Sequence, residues 1–168
     1  MIDDQLITVA SRLFWSLLAG GIIGFERTYH GRPAGFRTHI LVCSSSTLLV
    51  LISVYQWELL PNVPIETLRI DPTRLAQGIM TGIGFLGAGV IIKERFAVRG
   101  LTTAASIWIT ASIGIVIGMG FYSAAALGVA LALGALAVVR GVEAIMPALR
   151  YARLTGRFQR QSVLSLEE

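Results

Sequence analysis

The sequence predicts an all-α, polytopic membrane protein: a bundle of five transmembrane helices with its N-terminus outside and its C-terminus cytoplasmic. Three observations predict it. Hydrophobic residues make up 54% of the 168-residue chain and charged residues 14%, against about 25% charged in an average soluble domain. Mean hydropathy is +0.71, and the apolar residues lie in runs near the roughly 20 residues that a bilayer crossing needs. Finally, the basic residues segregate. Arg27, Arg32, Arg37, Lys93, Arg95, Arg99, Arg140, Arg150, Arg153, Arg157 and Arg160 are eleven of the fourteen, and all fall on one side of a five-span arrangement. Basic loops favour the cytoplasmic side. The other side has Arg69 and Arg74 with the acids Asp3, Asp4, Glu58, Glu66 and Asp71. A count of four or six spans would destroy this separation.

Span one covers about 5–25. Its acidic start, Met1-Ile2-Asp3-Asp4, and the lack of a small-residue cleavage site make it a retained helix rather than a leader. Arg12 lies inside it, either snorkelling outward toward Asp3 or Asp4 or facing a cavity. Span two covers about 38–57 and ends in Tyr55 and Trp57, rings suited to the interface. Span three, about 72–92, opens on Asp71-Pro72, an Asp N-cap followed by Pro at N1. Span four, about 102–119, has a Thr cap available in Arg99-Gly100-Leu101-Thr102-Thr103. Span five covers about 121–139. Residues 1–140 form the transmembrane domain, and 141–168 a basic cytoplasmic tail that is either an interfacial helix on anionic lipid or a solvated segment.

Small residues four apart, Gly20 and Gly24, Gly78 and Gly82, Gly114 and Gly118, let helices approach closely and are compatible with a homodimer. Span three is glycine-dense through Gly82, Gly84, Gly87 and Gly89. These match a dinucleotide fingerprint in letters only, because no strand precedes them. They predict either tight packing against a neighbouring helix or a locally unwound helix lining a cavity.

Polar residues at membrane depth are the candidate site. Thr102, Ser106 and Thr110 share one face of span four; Gln77 and Thr81 share one face of span three; span two has Ser44, Ser45, Ser46 and Thr47. They either line a hydrated path or bond back to their own helix carbonyls. Glu26, Arg27, Arg37, Thr38, His39 and Arg99 converge on the cytoplasmic end, either as a polar cluster with Glu26 paired to Arg37 or Arg99, or as interfacial anchors. Asp71 and Arg74 mark the opposite end. No metal ligand set, cofactor motif or nucleophile-and-base constellation is visible. The single cysteine, Cys43, excludes an internal disulfide, and basic charge placed in short loops fits topology better than nucleic acid.

Five segments in order, Gly24-Phe25-Glu26-Arg27, Pro33-Ala34-Gly35-Phe36-Arg37-Thr38-His39, Asp71-Pro72-Thr73-Arg74-Leu75-Ala76-Gln77, Gly82 to Gly89, and Val98-Arg99-Gly100-Leu101-Thr102-Thr103-Ala104-Ala105, resemble the MgtC/SapB family. The resemblance implies a bacterial inner-membrane protein linked to growth at low magnesium and to survival in phagocytes. It also implies a non-enzymatic role through helix contacts with a membrane partner, the ATP synthase being the partner it suggests. It marks Glu26, Arg27, Arg37, Thr38, His39, Asp71, Arg74, Gln77, Arg99 and Thr102 as motif positions without assigning them roles. Longer family members add an ACT-like C-terminal domain, which these residues do not contain. The alternative is a transporter or channel for an ion or small solute along spans three and four.

Overall fold

The computed structural model describes residues 2–56, 71–94 and 97–145. Five helices follow one another: α1 (Ile2–Tyr29), α2 (Phe36–Val54), α3 (Pro72–Val90), α4 (Leu101–Gly118) and α5 (Tyr122–Ile145). A two-stranded antiparallel hairpin, β1 (Ile92–Glu94) and β2 (Ala97–Arg99), joins α3 to α4, with Lys93 opposite Val98. The sequence reading treated that hairpin as a loop. Trp57, Arg69, Arg95 and the tail from 146 onward lie outside the described residues.

Each predicted span contains one helix. Helix α1 runs past its predicted end and carries Glu26 and Arg27 in its last turns, and α5 continues to Ile145. Asp71 caps α3 by accepting the Thr73 backbone N–H at 3.0 Å, with Pro72 in the first turn. The start of α4 differs from expectation. Its N-cap is Gly100 at φ 90°, with no side-chain cap, and both threonines lie inside the helix. A Cβ at Gly100 would collide with the Val90 carbonyl, so the chain turns there through a left-handed conformation that glycine adopts without penalty.

Consecutive helices run antiparallel, and α2 packs between α1 and α4. A Cβ on Gly20 would sit 2.6 Å from the His39 carbonyl oxygen, and one on Gly24 2.7 Å from the Phe36 Cα. On the other flank of α2, a Cβ on Gly114 would strike the Cys43 carbonyl and one on Gly118 would lie 2.6 Å from the Val50 Cβ. Two of the three glycine pairs therefore do what small residues do in lipid, where apolar burial drives little association and backbone approach must supply contact. Ala19, Ile23, Cys43, Ile113, Ile117 and Ala125 fill the resulting core between α1, α2, α4 and α5. Helix α3 leans on α4 through Ile79, Met80 and Ile83.

The glycines of α3 behave differently. The helix is continuous from Pro72 to Val90, so it is not unwound. Gly87 is buried, and a Cβ there would sit 3.6 Å from the Ala104 Cβ, whereas a Cβ on Gly78, Gly82, Gly84 or Gly89 would meet nothing within 4 Å among the described residues.

The outer surface is greasy: Phe14, Leu41, Phe85, Leu127 and Leu131 are all exposed, Phe85 at 82%. Contiguous apolar surface of this kind marks contact with something other than water. Among the described residues three helices, Asp4–Tyr29, Phe36–Val54 and Leu101–Gly118, are long and apolar enough to cross a bilayer. The chain is a membrane protein.

Candidate functional site

The polar groups inside the bundle form a ladder between α1, α2 and α4. Arg27 closes α1 yet is only 2% exposed. Its Nη2 donates to the Thr103 hydroxyl at 2.7 Å and to the Pro33 carbonyl at 3.4 Å. One turn further along α4, the Ser106 hydroxyl lies 2.8 Å from the Thr103 carbonyl and 3.2 Å from His39 Nε2. His39 is fully buried, and its Nδ1 sits 2.9 Å from the Gly35 carbonyl. The ladder continues as Thr110 bonds the Ser106 carbonyl at 2.7 Å and Thr47 of α2 bonds the Gly114 carbonyl at 2.8 Å.

These contacts constrain protons. A carbonyl only accepts, so His39 Nδ1 carries a hydrogen. Ser106 has a single proton for two acceptors. With neutral His39, Nε2 accepts the Ser106 proton and the Thr103 carbonyl loses its hydroxyl partner. With imidazolium, Nε2 donates and Ser106 keeps its bond to Thr103. The ladder thus has two hydrogen-bonding states that differ by one proton.

The candidate residues separate into groups. Arg27, His39, Ser106 and Thr110 come together between helices; Thr102 is exposed, and Thr103 takes its place. Both threonines stand at helical spacing from Ser106, three and four residues away, so spacing alone did not choose between them. Arg37 is exposed and Thr38 half-buried. Glu26 Oε1 is 3.1 Å from His30 Nδ1, and Arg99 Nε is 3.9 Å from Glu94. The contacts seen for Glu26 and Arg99 among the described residues are these local ones. At the far end Arg74 Nε is 3.9 Å from Asp71. Gln77 and Thr81 are exposed on α3, and the Thr81 hydroxyl bonds back to the Gln77 carbonyl at 2.8 Å. Gln77 and Thr81 do not meet the α4 hydroxyls: Ser106 turns to His39 of α2 and Thr103 to Arg27 of α1, while α4 meets α3 through Ile107, Ala111 and Ile115, with Ser112 against the Met80 sulfur at 3.8 Å.

Arg12 finds a partner on α4. Its Nη1 donates to the Gly118 carbonyl at 2.7 Å, placing a cation at the C-terminus of α4, where the helix dipole is negative.

Residues 13–145 match the model of the MgtC family. The chain belongs to that family. It is 43% identical over 111 residues to the "Putative magnesium transporter YhiD" of Escherichia coli strain K12, covering 66% of this chain and 51% of that one. It is 38% identical over 147 residues to "Protein MgtC" of Brucella abortus strain 2308, covering 87% of this chain and 57% of that one. It is 41% identical over 125 residues to "Protein SrpB" of Synechococcus elongatus, covering 70% of this chain and 66% of that one. The chain thus spans about half the length of the first two relatives. No solved structure matches it.

Magnesium needs hard oxygen ligands in octahedral geometry, so the donor set of this MgtC-family chain bears on any resident ion. Among the described residues no three of His, Cys, Asp and Glu come together. Glu26 and Asp71 stand at opposite ends of the bundle, and Glu94 lies exposed on β1.

Proposed function

We propose that this chain is a five-span protein of the bacterial inner membrane, cytoplasmic at its C-terminus, that serves magnesium homeostasis through helix contacts with a membrane partner. The observation that carries this reading is the open glycine face of α3. The glycine pairs of α1 and α4 are consumed inside the bundle, but a Cβ on Gly78 or Gly82 would meet nothing within 4 Å among the described residues. A second transmembrane helix, from another copy or from a different protein such as the ATP synthase, would find there the same close-approach surface. The topology is supported by the antiparallel helix order and by Arg27, Arg32, Arg37, Lys93 and Arg99 gathering at one end. The magnesium link is supported by family membership and by the name of the E. coli relative.

That name favours a second reading, transport of the ion. Reconstitution into liposomes separates the two. Loss of a co-purifying partner on Gly82→Leu, with no magnesium flux in the unsubstituted protein, supports the contact reading. Saturable magnesium uptake that survives Gly82→Leu would replace it by transport.

A further inference from the structure

The basic end of the bundle contains a cavity of about 770 Å³ whose lining is unlike the rest of the interior. Three arginines, Arg27, Arg32 and Arg99, face it together with Gly100, Thr102 and Thr103 of the α4 start. Among the described residues that line it there is no carboxylate. We propose that this cavity binds a phosphate group.

Three features of the cavity converge on an anion. Arg32 and Arg99 are exposed, and guanidinium groups present planar forks of donors that match phosphate oxygens two at a time. Among the described residues Arg99 meets Glu94 at 3.9 Å, and both side chains are more than half exposed, so that pair competes weakly. Arg27 contributes differently. It is buried and engaged with Thr103 and Pro33, so it supplies fixed positive potential and holds the first turn of α4 in place.

The backbone adds the third feature. The first N–H groups of a helix have no intrahelical acceptor, and here Gly100 offers no side chain to satisfy them. The first intrahelical bond is Ala104 N–H to the Gly100 carbonyl at 2.9 Å, leaving the N–H groups of Leu101, Thr102 and Thr103 beside the cavity. Helix N-termini carry partial positive charge and bind phosphate for that reason. No acidic residue stands in the first turn to neutralise it. The Thr102 hydroxyl is exposed and available as a further donor. Apolar Ala135 and Leu136 complete the wall from α5, a two-sided lining suited to a phosphate at the membrane surface.

The same chemistry serves an anionic phospholipid headgroup or a soluble phosphate, and the test has an arm for each. Purified protein in detergent is titrated with sodium phosphate at constant ionic strength, using isothermal calorimetry. In parallel, native mass spectrometry scores retained lipid after reconstitution in phosphatidylglycerol or phosphatidylcholine nanodiscs. Arg32→Gln and Arg99→Gln change exposed side chains and leave folding intact. Each should weaken binding in whichever arm responds by about tenfold, as expected for losing a charge-assisted hydrogen bond. Lys93→Gln removes a charge from the same end outside the cavity and should change binding less than twofold. Phosphate binding assigns a soluble ligand; selective phosphatidylglycerol retention assigns a headgroup. Absence of both overturns the proposal, as does equal weakening by Lys93→Gln, which would reduce the effect to net charge.

Discussion

Arg12 Nη1 hydrogen-bonds the Gly118 carbonyl at 2.7 Å, and fifteen residues later on α1 Arg27 Nη2 meets the Thr103 hydroxyl at the same 2.7 Å. Thr103 and Gly118 are also fifteen residues apart, on a helix running the other way. At 1.5 Å per residue the two contacts are about 22 Å apart. Helix α1 therefore holds α4 at both ends with one cation each.

Removing either arginine should destabilise the bundle by about 1–3 kcal/mol, the range for stripping a donor from a polar group at an interior site. Arg12→Gln and Arg27→Gln are the variants, and thermal unfolding in detergent is the measurement. At this separation the two effects should add to within about 0.5 kcal/mol. Strong coupling would mean that the two ends do not act as independent fasteners.

The glycine pairs should respond to alanine with opposite signs. Gly114→Ala pushes a methyl into the Cys43 carbonyl, and Gly118→Ala into Val50; each should cost about 1–3 kcal/mol, as overpacking does. Gly78→Ala and Gly82→Ala meet open space, so helix propensity alone acts and each should stabilise isolated α3 by up to about 1 kcal/mol. Unfolding midpoints of the four variants decide it. A loss of stability at Gly82→Ala in dilute detergent would place a neighbour against that face within the chain.

The His39–Ser106 contact predicts coupling. His39→Ala should cost about 1–3 kcal/mol by unpairing buried groups, and Ser106→Ala less, since His39 keeps its Gly35 bond. The double-mutant cycle should show about 0.5–1.5 kcal/mol of interaction. Zero coupling would dissolve the ladder into independent local bonds.

Asp71 should make the start of α3 acid-sensitive. The Thr73 hydroxyl and backbone N–H both donate to its carboxylate and hold its pKa below the ordinary 3.8. Because the folded value is depressed, the capping contribution is fully present above 3.8 and is lost as pH falls through the folded value. Amide exchange, corrected for its intrinsic pH dependence, should show protection at 73–76 declining below that point. In Asp71→Asn the same protection should be flat with pH.

Much of this architecture was legible in the sequence. Long apolar runs have one physical reading, so the five helices stood where expected. Asp71-Pro72 announced its own cap, because Asp and Pro are suited to those positions by geometry rather than by context. The glycine pairs of α1 and α4 were readable as contact surfaces, but nothing in the letters distinguished them from the pair in α3. That distinction depends on which face of α3 the hairpin at 92–99 turns toward α4. The choice of Thr103 over Thr102 had the same origin: a one-position difference in rotation, fixed by where Gly100 releases the chain. Arg12 was unreadable for another reason. Its acceptor is a backbone carbonyl, and every residue has one.

Because α4 is fastened at both ends to α1, these two helices are held in register and cannot slide past each other when the surrounding bilayer thins or thickens. Mismatch with the lipid must then be absorbed elsewhere, by tilting the whole α1–α2–α4 unit or by displacing α3, whose glycines touch little. A change in membrane thickness would thereby alter how far α3 stands out from the bundle, and with it the surface offered to a neighbouring helix.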